Sequence, residues 1–409
     1  MERKKALLII LDGLGDRAIR ELGFKTPLQF AETPHLDKIA RMSMVGLMDP
    51  IAPGIRAGSD TSHLNLLGYN PYEVYTGRGP FEAAGLDMDI EPGDVAFRCN
   101  FATVDENLVV LDRRAGRIKE GTHELASALN GMKIEDVEIF VKEGVEHRAA
   151  LVLRGPGLSP HVSDVDPHDK GLKIHEAKAL KPEAEKTARV LNEFVKRAYE
   201  ILKEHPVNKE REKKGLKPAN ILLPRGAGMA PHLENFEKKH GMKAACVVGT
   251  PLIRGICKLA GIHPIDFPGA TGSYDTDMKG KIREAVKALA KDGYDFVLVN
   301  IKATDIAGHD MLPRKKVEVI ERIDEAMGYL LEILPEDVVV VITADHSTPC
   351  SVGDHSGDAV PIMIYADDSR AEGSEFNEVS CAKGSLRIRG SDLMQMILNA
   401  TNRAEKFGA

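Results

Sequence analysis

Tryptophan is absent from the 409 residues and glutamine occurs only at Gln29 and Gln395, while 29% of residues are charged. That balance leans towards a thermophilic source. Cysteine is scarce as well: Cys99, Cys246, Cys257, Cys350 and Cys381 are odd in number, scattered and without a C-x-x-C pair. A disulfide framework and a zinc knuckle are thereby excluded, and a reducing cytoplasm is expected. No apolar run approaches the ~20 residues that span a bilayer. The aliphatic Ala6–Leu11 follows a basic start, but it ends at once in Asp12-Gly13 with no small-residue cleavage site, so it reads as a buried strand. Nor is there an excess of positive charge: 55 basic residues against 62 acidic ones give a net charge of -7. Neither a nucleic acid nor a membrane is an expected partner, and a homo-oligomer is left open.

What is present is an alternation of short aliphatic runs with amphipathic stretches. Ala6–Leu11, Met44–Ile51, Ala244–Val248, Phe296–Ile301, Val338–Thr343 and Val360–Tyr365 read as strands, the innermost covered on both faces. Stretches 278–291 and 313–334 read as helices, the second carrying Val317, Ile320, Ile323, Met327, Leu330 and Leu334 on one face. This predicts an α/β fold with a doubly wound, mostly parallel sheet. From about 91 to 161 the character changes to paired extended runs around Asp105-Glu106-Asn107 and Glu143-Gly144. A smaller α+β domain is therefore expected as an insert at 86–179, between catalytic segments 1–85 and 180–409. The helix from Pro182 and the strand Ile221–Leu223 are assigned to the larger domain, and the Lys/Glu-rich Asn208–Lys217 reads as a loop or a frayed helix end and not as a binding tail. Thr33 is expected to cap a helix opened by Pro34.

Ligands of open α/β sheets bind outside the carboxyl ends of the strands. Asp12 ends the first strand, Asp305 and His309 follow Phe296–Ile301, Asp345 and His346 follow Val338–Thr343, and His355 lies one loop later. Any one of these reads as a capping Asp or a loop His. Together they do not, because several buried carboxylates at one place require cations. A mixed Asp/His donor set suits Mn²⁺ or Zn²⁺, and six side chains exceed what one tetrahedral ion needs. They suit two ions, the arrangement that clamps a transferring phosphoryl group. Ser59, in Gly58-Ser59-Asp60-Thr61-Ser62-His63, is a hydroxyl in need of an activator, and an adjacent ion supplies one. Lys302, just before Asp305, is a phosphate-binding candidate. In the insert, Arg113, Arg114, Arg117 and Arg148 can offer forks to a carboxylate and a phosphate. His161, Asp164 and Asp166 are candidates for substrate binding or proton transfer; the alternative for this group is a charged hairpin surface and a turn.

The stretches Leu-Asp12-Gly-Leu-Gly-Asp, Gly-Ser59-Asp-Thr-Ser-His-Leu-Asn-Leu-Leu-Gly-Tyr-Asn-Pro, Asp305-Ile-Ala-Gly-His309 and Thr-Ala-Asp345-His346-Ser-Thr-Pro, with the later His355, resemble the metal pattern of the alkaline phosphatase superfamily. Within it they look most like the archaeal-type branch of the cofactor-independent phosphoglycerate mutases. The resemblance runs along the whole chain in order. It implies an alkaline-phosphatase-like fold and interconversion of 3-phosphoglycerate and 2-phosphoglycerate through a phosphoserine at Ser59, a step of glycolysis and gluconeogenesis that needs no 2,3-bisphosphoglycerate. Carried over residue by residue, Asp305, His309 and His355 hold one divalent ion, and Asp12, Ser59, Asp345 and His346 hold the other. Mn²⁺ is expected ahead of Zn²⁺, Co²⁺ or Mg²⁺. The insert departs from the bacterial-type mutases, whose insert is longer and has different substrate-binding stretches. A metal-dependent phosphomonoesterase or a sugar-phosphate mutase of the same superfamily is the alternative activity.

Overall fold

The structure, a computed structural model, describes residues 2–408. The chain forms two compact units: a larger one from the chain up to Val74 and from Leu233 onward, and a smaller one at Tyr75–His232.

Eight strands make the sheet of the larger unit, in the order His263–Pro264, Ala244–Val247, Phe296–Ile301, Lys5–Leu11, Val338–Thr343, Val360–Tyr365, Met44–Asp49, Leu386–Arg389. The first five are mutually parallel, and Val360–Tyr365 alone runs against both neighbours. The strands Phe296–Ile301 and Val338–Thr343 are buried along their whole length, as is Lys5–Leu11 after its first residue. Cover on both faces is why these segments read as unbroken aliphatic runs. Ile10 lies in register with Asn300 on one side and Thr343 on the other, so the residues that follow all three strands emerge at one edge. Pro34 opens the helix Pro34–Arg41 as expected, but Thr33 makes no side-chain cap. Asp324 takes that role from the long helix Pro313–Ile333, accepting from the backbone of His35 and Leu36 at 3.0 and 2.7 Å.

The smaller unit is wider than 86–179 at both ends. Ile221–Met229 does not extend the large sheet; it pairs antiparallel with Val95–Val104 in a six-stranded, wholly antiparallel sheet. Helix Glu185–Glu204 buries Leu191, Phe194 and Ala198 in the same core as Phe97, Cys99 and Phe101. On the other face the helix Gly79–Gly85 sets Ala83 against Ala96 and Ala150. That approach needs glycine, since a Cβ on Gly79 would lie 2.0 Å from the Ala96 carbonyl oxygen. The stretch Asn208–Lys217 is a loop only after a two-turn helix, Pro206–Lys213, and Asn208 anchors it, fully buried, through bonds to Leu202, Ala219 and back. Among the described residues no helix is long and apolar enough to cross a membrane.

One buried charge fixes the loop that follows the first strand. Lys316, on the helix Pro313–Ile333, has no exposed surface, and its ammonium reaches Gly13 O (2.9 Å), Gly15 O (3.2 Å), Asp16 Oδ2 (2.9 Å) and Thr348 O (3.0 Å). Removing one partner of a buried, hydrogen-bonded pair strands the other. Lys316→Ala is therefore expected to cost about 3–5 kcal/mol of unfolding free energy, measured by denaturant titration; a loss under about 1 kcal/mol would show that the pair is dispensable.

Candidate active site

Ser59 is the first residue of the helix Ser59–Leu66, with Gly58 in extended conformation before it, and is almost fully buried. Its Oγ lies 3.1 Å from His346 Nε2 and 3.5 Å from Lys302 Nζ. Asp12 Oδ1 is 2.9 Å from Lys302 Nζ and 3.6 Å from His346 Nε2, and Asp345 Oδ2 is 3.2 Å from that same nitrogen. Asp305 meets Lys302 at 2.7 Å, His309 at 3.4 Å and His355 at 3.5 Å, while Thr348 donates to it at 2.7 Å. The seven residues expected to hold ions, with Lys302, thus share one cluster. Gly13 makes the turn possible: it adopts φ +66°, and a Cβ there would stand 2.7 Å from Asp305 Cα.

The charges explain why the cluster wants cations. Burial raises the Asp12 carboxyl and Asp345 raises it further, against Lys302. Burial would raise Asp305 too, but Lys302 with His355, His346 and His309 outweighs it and holds Asp305 well below the usual range. Lys302 is lowered by burial and raised more by Asp12 and Asp305, with a net shift upward. Three buried carboxylates lean on one ammonium and the imidazoles, and Asp345 Oδ2 is buried with no hydrogen bond. That donor set of carboxylate oxygens, one of them buried without a hydrogen bond, and imidazole nitrogens fits divalent ions. Two triads draw their donor atoms within 4.8 Å of one another here, Asp12-Asp345-His346 and Asp305-His346-His355; a third, His309-Asp354-His355, adds the exposed Asp354.

In the smaller unit the expected residues separate. Arg113 is committed to Asp166, with Nε–Oδ1 3.2 Å and a terminal nitrogen 2.6 Å from Oδ2, and Asp166 is fully buried. Asp164 accepts from Gly226 N at 2.8 Å and meets His168 Nε2 at 2.9 Å. His161 is exposed beside Lys181, and Arg114, Arg117 and Arg148 are exposed. Two cations that sequence patterning left out are the better-built ones: Arg98 and Arg225, cross-strand neighbours, each with a buried Nε that makes no hydrogen bond. Burial among cations pushes Arg98 down to about 9 despite Glu82 at 3.6 Å, and lowers Arg225 despite Asp166. His147 is pushed down to about 4 by burial and by Arg148, Arg114, Arg98 and Arg225. Two arginines directly opposed on adjacent strands are mutually unfavourable unless an anion joins them. The signal was present in the sequence: Arg98 and Asn100 interrupt one face of an otherwise apolar strand. In the larger unit the residues missed were His63, Asn300 and Thr348.

A mostly parallel α/β sheet with an Asp/His cluster at its strand ends and a helix-borne serine facing it defines an enzyme of the alkaline-phosphatase-like class. The family model for type I phosphodiesterases and nucleotide pyrophosphatases matches residues 182–356, and that for 2,3-bisphosphoglycerate-independent phosphoglycerate mutase matches residues 40–208. A protein of that second description from Picrophilus torridus is 54% identical over 407 residues, covering 99% of this chain and 100% of its own. One from Methanothermobacter thermautotrophicus is 52% identical over 412 residues, with 99% and 100% covered. The solved cofactor-independent phosphoglycerate mutase of Thermoplasma acidophilum is 44% identical with a TM-score of 0.72, over 97% of this chain and 99% of that one. The chain belongs to the 2,3-bisphosphoglycerate-independent phosphoglycerate mutase family.

The Asp166 pair gives a testable pH dependence. Burial would raise this carboxyl, but Arg113, the His168 backbone N–H and Arg225 bring it below the ordinary carboxylate value. A depressed folded-state pKa means stability that is present above the unfolded value, about 4, and is lost as pH falls through the lower folded one. The wild-type chain should lose unfolding free energy below about pH 4, and Asp166→Asn should shrink that acid step in circular-dichroism denaturation series; an identical acid profile in the variant would count against the pair.

Proposed function

We propose that this chain interconverts 3-phosphoglycerate and 2-phosphoglycerate through a phosphoserine at Ser59, with two divalent ions, manganese first among them. The observation that carries the reading is Ser59 Oγ, buried within 3.1 Å of His346 and 3.5 Å of Lys302 in a cluster of three carboxylates. Asp305, His309 and His355 would hold one ion and Asp12, Ser59, Asp345 and His346 the other. When bound, such ions neutralise phosphoryl oxygens and favour the serine alkoxide.

Ser59 Oγ forms a bond to phosphorus as the bond from phosphorus to the first glycerate oxygen breaks. The departing oxygen takes a proton, the retained glycerate presents its other hydroxyl, and that hydroxyl gives up a proton as it bonds to phosphorus and the Ser59 Oγ–phosphorus bond breaks. Lys302 supplies a fixed positive charge beside Ser59 Oγ. Asp164, hydrogen-bonded to the half-exposed His168, is the residue we assign to proton transfer. Arg98 and Arg225 are the forks we assign to the substrate's anionic groups, with Arg148 and Arg114 as outer cations. Asp166 and Arg113 serve to hold Arg225. With all five cysteines free and buried, we place the enzyme in the cytoplasm.

Ser59→Ala is expected to lose mutase turnover while the six other donors still bind manganese, measured by isomer formation and by metal titration. Retention of full turnover would sink the covalent route. Arg98→Met should raise KM by roughly tenfold to a hundredfold with a smaller change in kcat, taking about 1.5–3 kcal/mol for a lost charge-assisted hydrogen bond. Phosphate release in place of isomer formation would instead favour the phosphomonoesterase reading.

A further inference from the structure

Two fully buried residues beneath the cluster are not among the expected ion donors. Asn300 is the penultimate residue of the strand Phe296–Ile301. Its side-chain nitrogen donates to Asp12 Oδ2 at 3.0 Å and lies 3.3 Å from His63 Nε2. A carboxylate oxygen only accepts, so the NH₂ end of the amide faces Asp12 and its two hydrogens serve these two partners. His63 stands one helical turn beyond Ser59, with Nδ1 2.7 Å from the Ser59 carbonyl oxygen. A carbonyl also only accepts, so Nδ1 carries the hydrogen and Nε2 presents its lone pair to Asn300. On the main-chain side the Asn300 carbonyl accepts from the buried Lys281 ammonium at 2.9 Å.

We infer that His63 and Asn300 are positioning residues that register the Ser59 helix against the Asp12 carboxylate. With Oδ2 tied to Asn300, the Asp12 carboxylate cannot rotate freely, and Oδ1 is turned towards Lys302 at 2.9 Å and His346 at 3.6 Å. That is the side on which Ser59 Oγ lies, 3.1 Å from the same His346 nitrogen. The link runs from a strand end through one amide and one imidazole to the backbone of the residue that bears the hydroxyl. Apart from this link, the helix meets the cluster through Ser59 Oγ at His346 and through His63 Nδ1, which also stands 3.5 Å from Asp345 Oδ2. Partners that orient a metal-binding carboxylate typically affect metal affinity by about 10–100-fold when removed. The inference rests on the reading of Asp12 as an ion ligand.

The test is calorimetric titration of the purified full-length chain with Mn²⁺ near neutral pH, in Asp12→Asn, Asn300→Ser, His63→Asn and the Asn300→Ser/His63→Asn double variant. His63→Asn retains a donor near the Nδ1 position and loses the Nε2 acceptor. Asn300→Ser is expected to weaken Mn²⁺ binding by about 10–100-fold, and His63→Asn by less. The double variant should be no weaker than Asn300→Ser alone, because the link passes through Asn300; two merely structural residues would give effects that multiply. Multiplying effects, or binding by Asn300→Ser within about twofold of wild type, overturn the inference. Unchanged binding by Asp12→Asn overturns the ligand reading and the inference with it.

Discussion

Three carboxylates buried at the ends of adjacent parallel strands are the constraint on which the larger unit depends. Asp12 and Asp345 are fully buried and Asp305 nearly so, and an isolated ionised carboxylate in such a place is too costly to persist. Everything around them answers that cost. Lys302 spans Asp12 and Asp305, His346 reaches Asp12 and Asp345, and Thr348 and the Gly13 amide supply hydrogen bonds to Asp305 and Asp345. Even the loop geometry serves this end: Lys316 gathers the carbonyls of Gly13, Gly15 and Thr348, drawing the two loops that carry Asp12 and Asp345 together from behind.

The smaller unit inverts this electrostatic problem. Its antiparallel sheet sets Arg98 opposite Arg225 and Asn100 opposite Arg148, and His147 is held neutral by burial and by the surrounding positive charge. A sheet face with one side full of aromatic packing and the other bearing opposed guanidinium groups is not optimised for stability alone. Glu82 and Asp166 compensate only in part, because the Nε atoms of both arginines remain without hydrogen bonds.

The strands of the large sheet were legible because burial on both faces writes itself as unbroken aliphatic sequence. Phe296–Ile301, Val338–Thr343 and Val360–Tyr365 fall where the runs of apolar residues begin and end. The Asp/His cluster was legible for a related reason, since Asp and His immediately after such runs must gather at one sheet edge. Boundaries between the units were not. Ile221–Met229 has the apolar start of a central strand, and nothing local says which sheet it joins; pairing with Val95–Val104 is a contact between residues more than a hundred positions apart in sequence. Arg98 and Arg225 were obscured likewise, because each is the one charged residue in its strand and the two meet only when register sets them side by side. His63 sat within the Ser59 stretch and Asn300 within an aliphatic strand, yet which of their atoms meet is something that spacing alone does not carry.

The two charge patterns together bear on which reaction this scaffold serves. Hydrolysis of a phosphoserine needs only the anionic cluster with its ions and a water. It gives no reason to bury two opposed guanidinium groups whose carboxylate partners, Glu82 and Asp166, stand 3.6 Å from Nε atoms left without hydrogen bonds. A reaction that must retain an anionic alcohol after its phosphoryl group has left does give such a reason, because the fragment that remains carries a carboxylate and no longer a phosphate. A pair of opposed guanidinium groups is a chemical match for a fragment of that charge. Under the assignment proposed above, such a pair would favour transfer within one molecule over release to water, on a ground separate from the Asp/His cluster that both reactions would use.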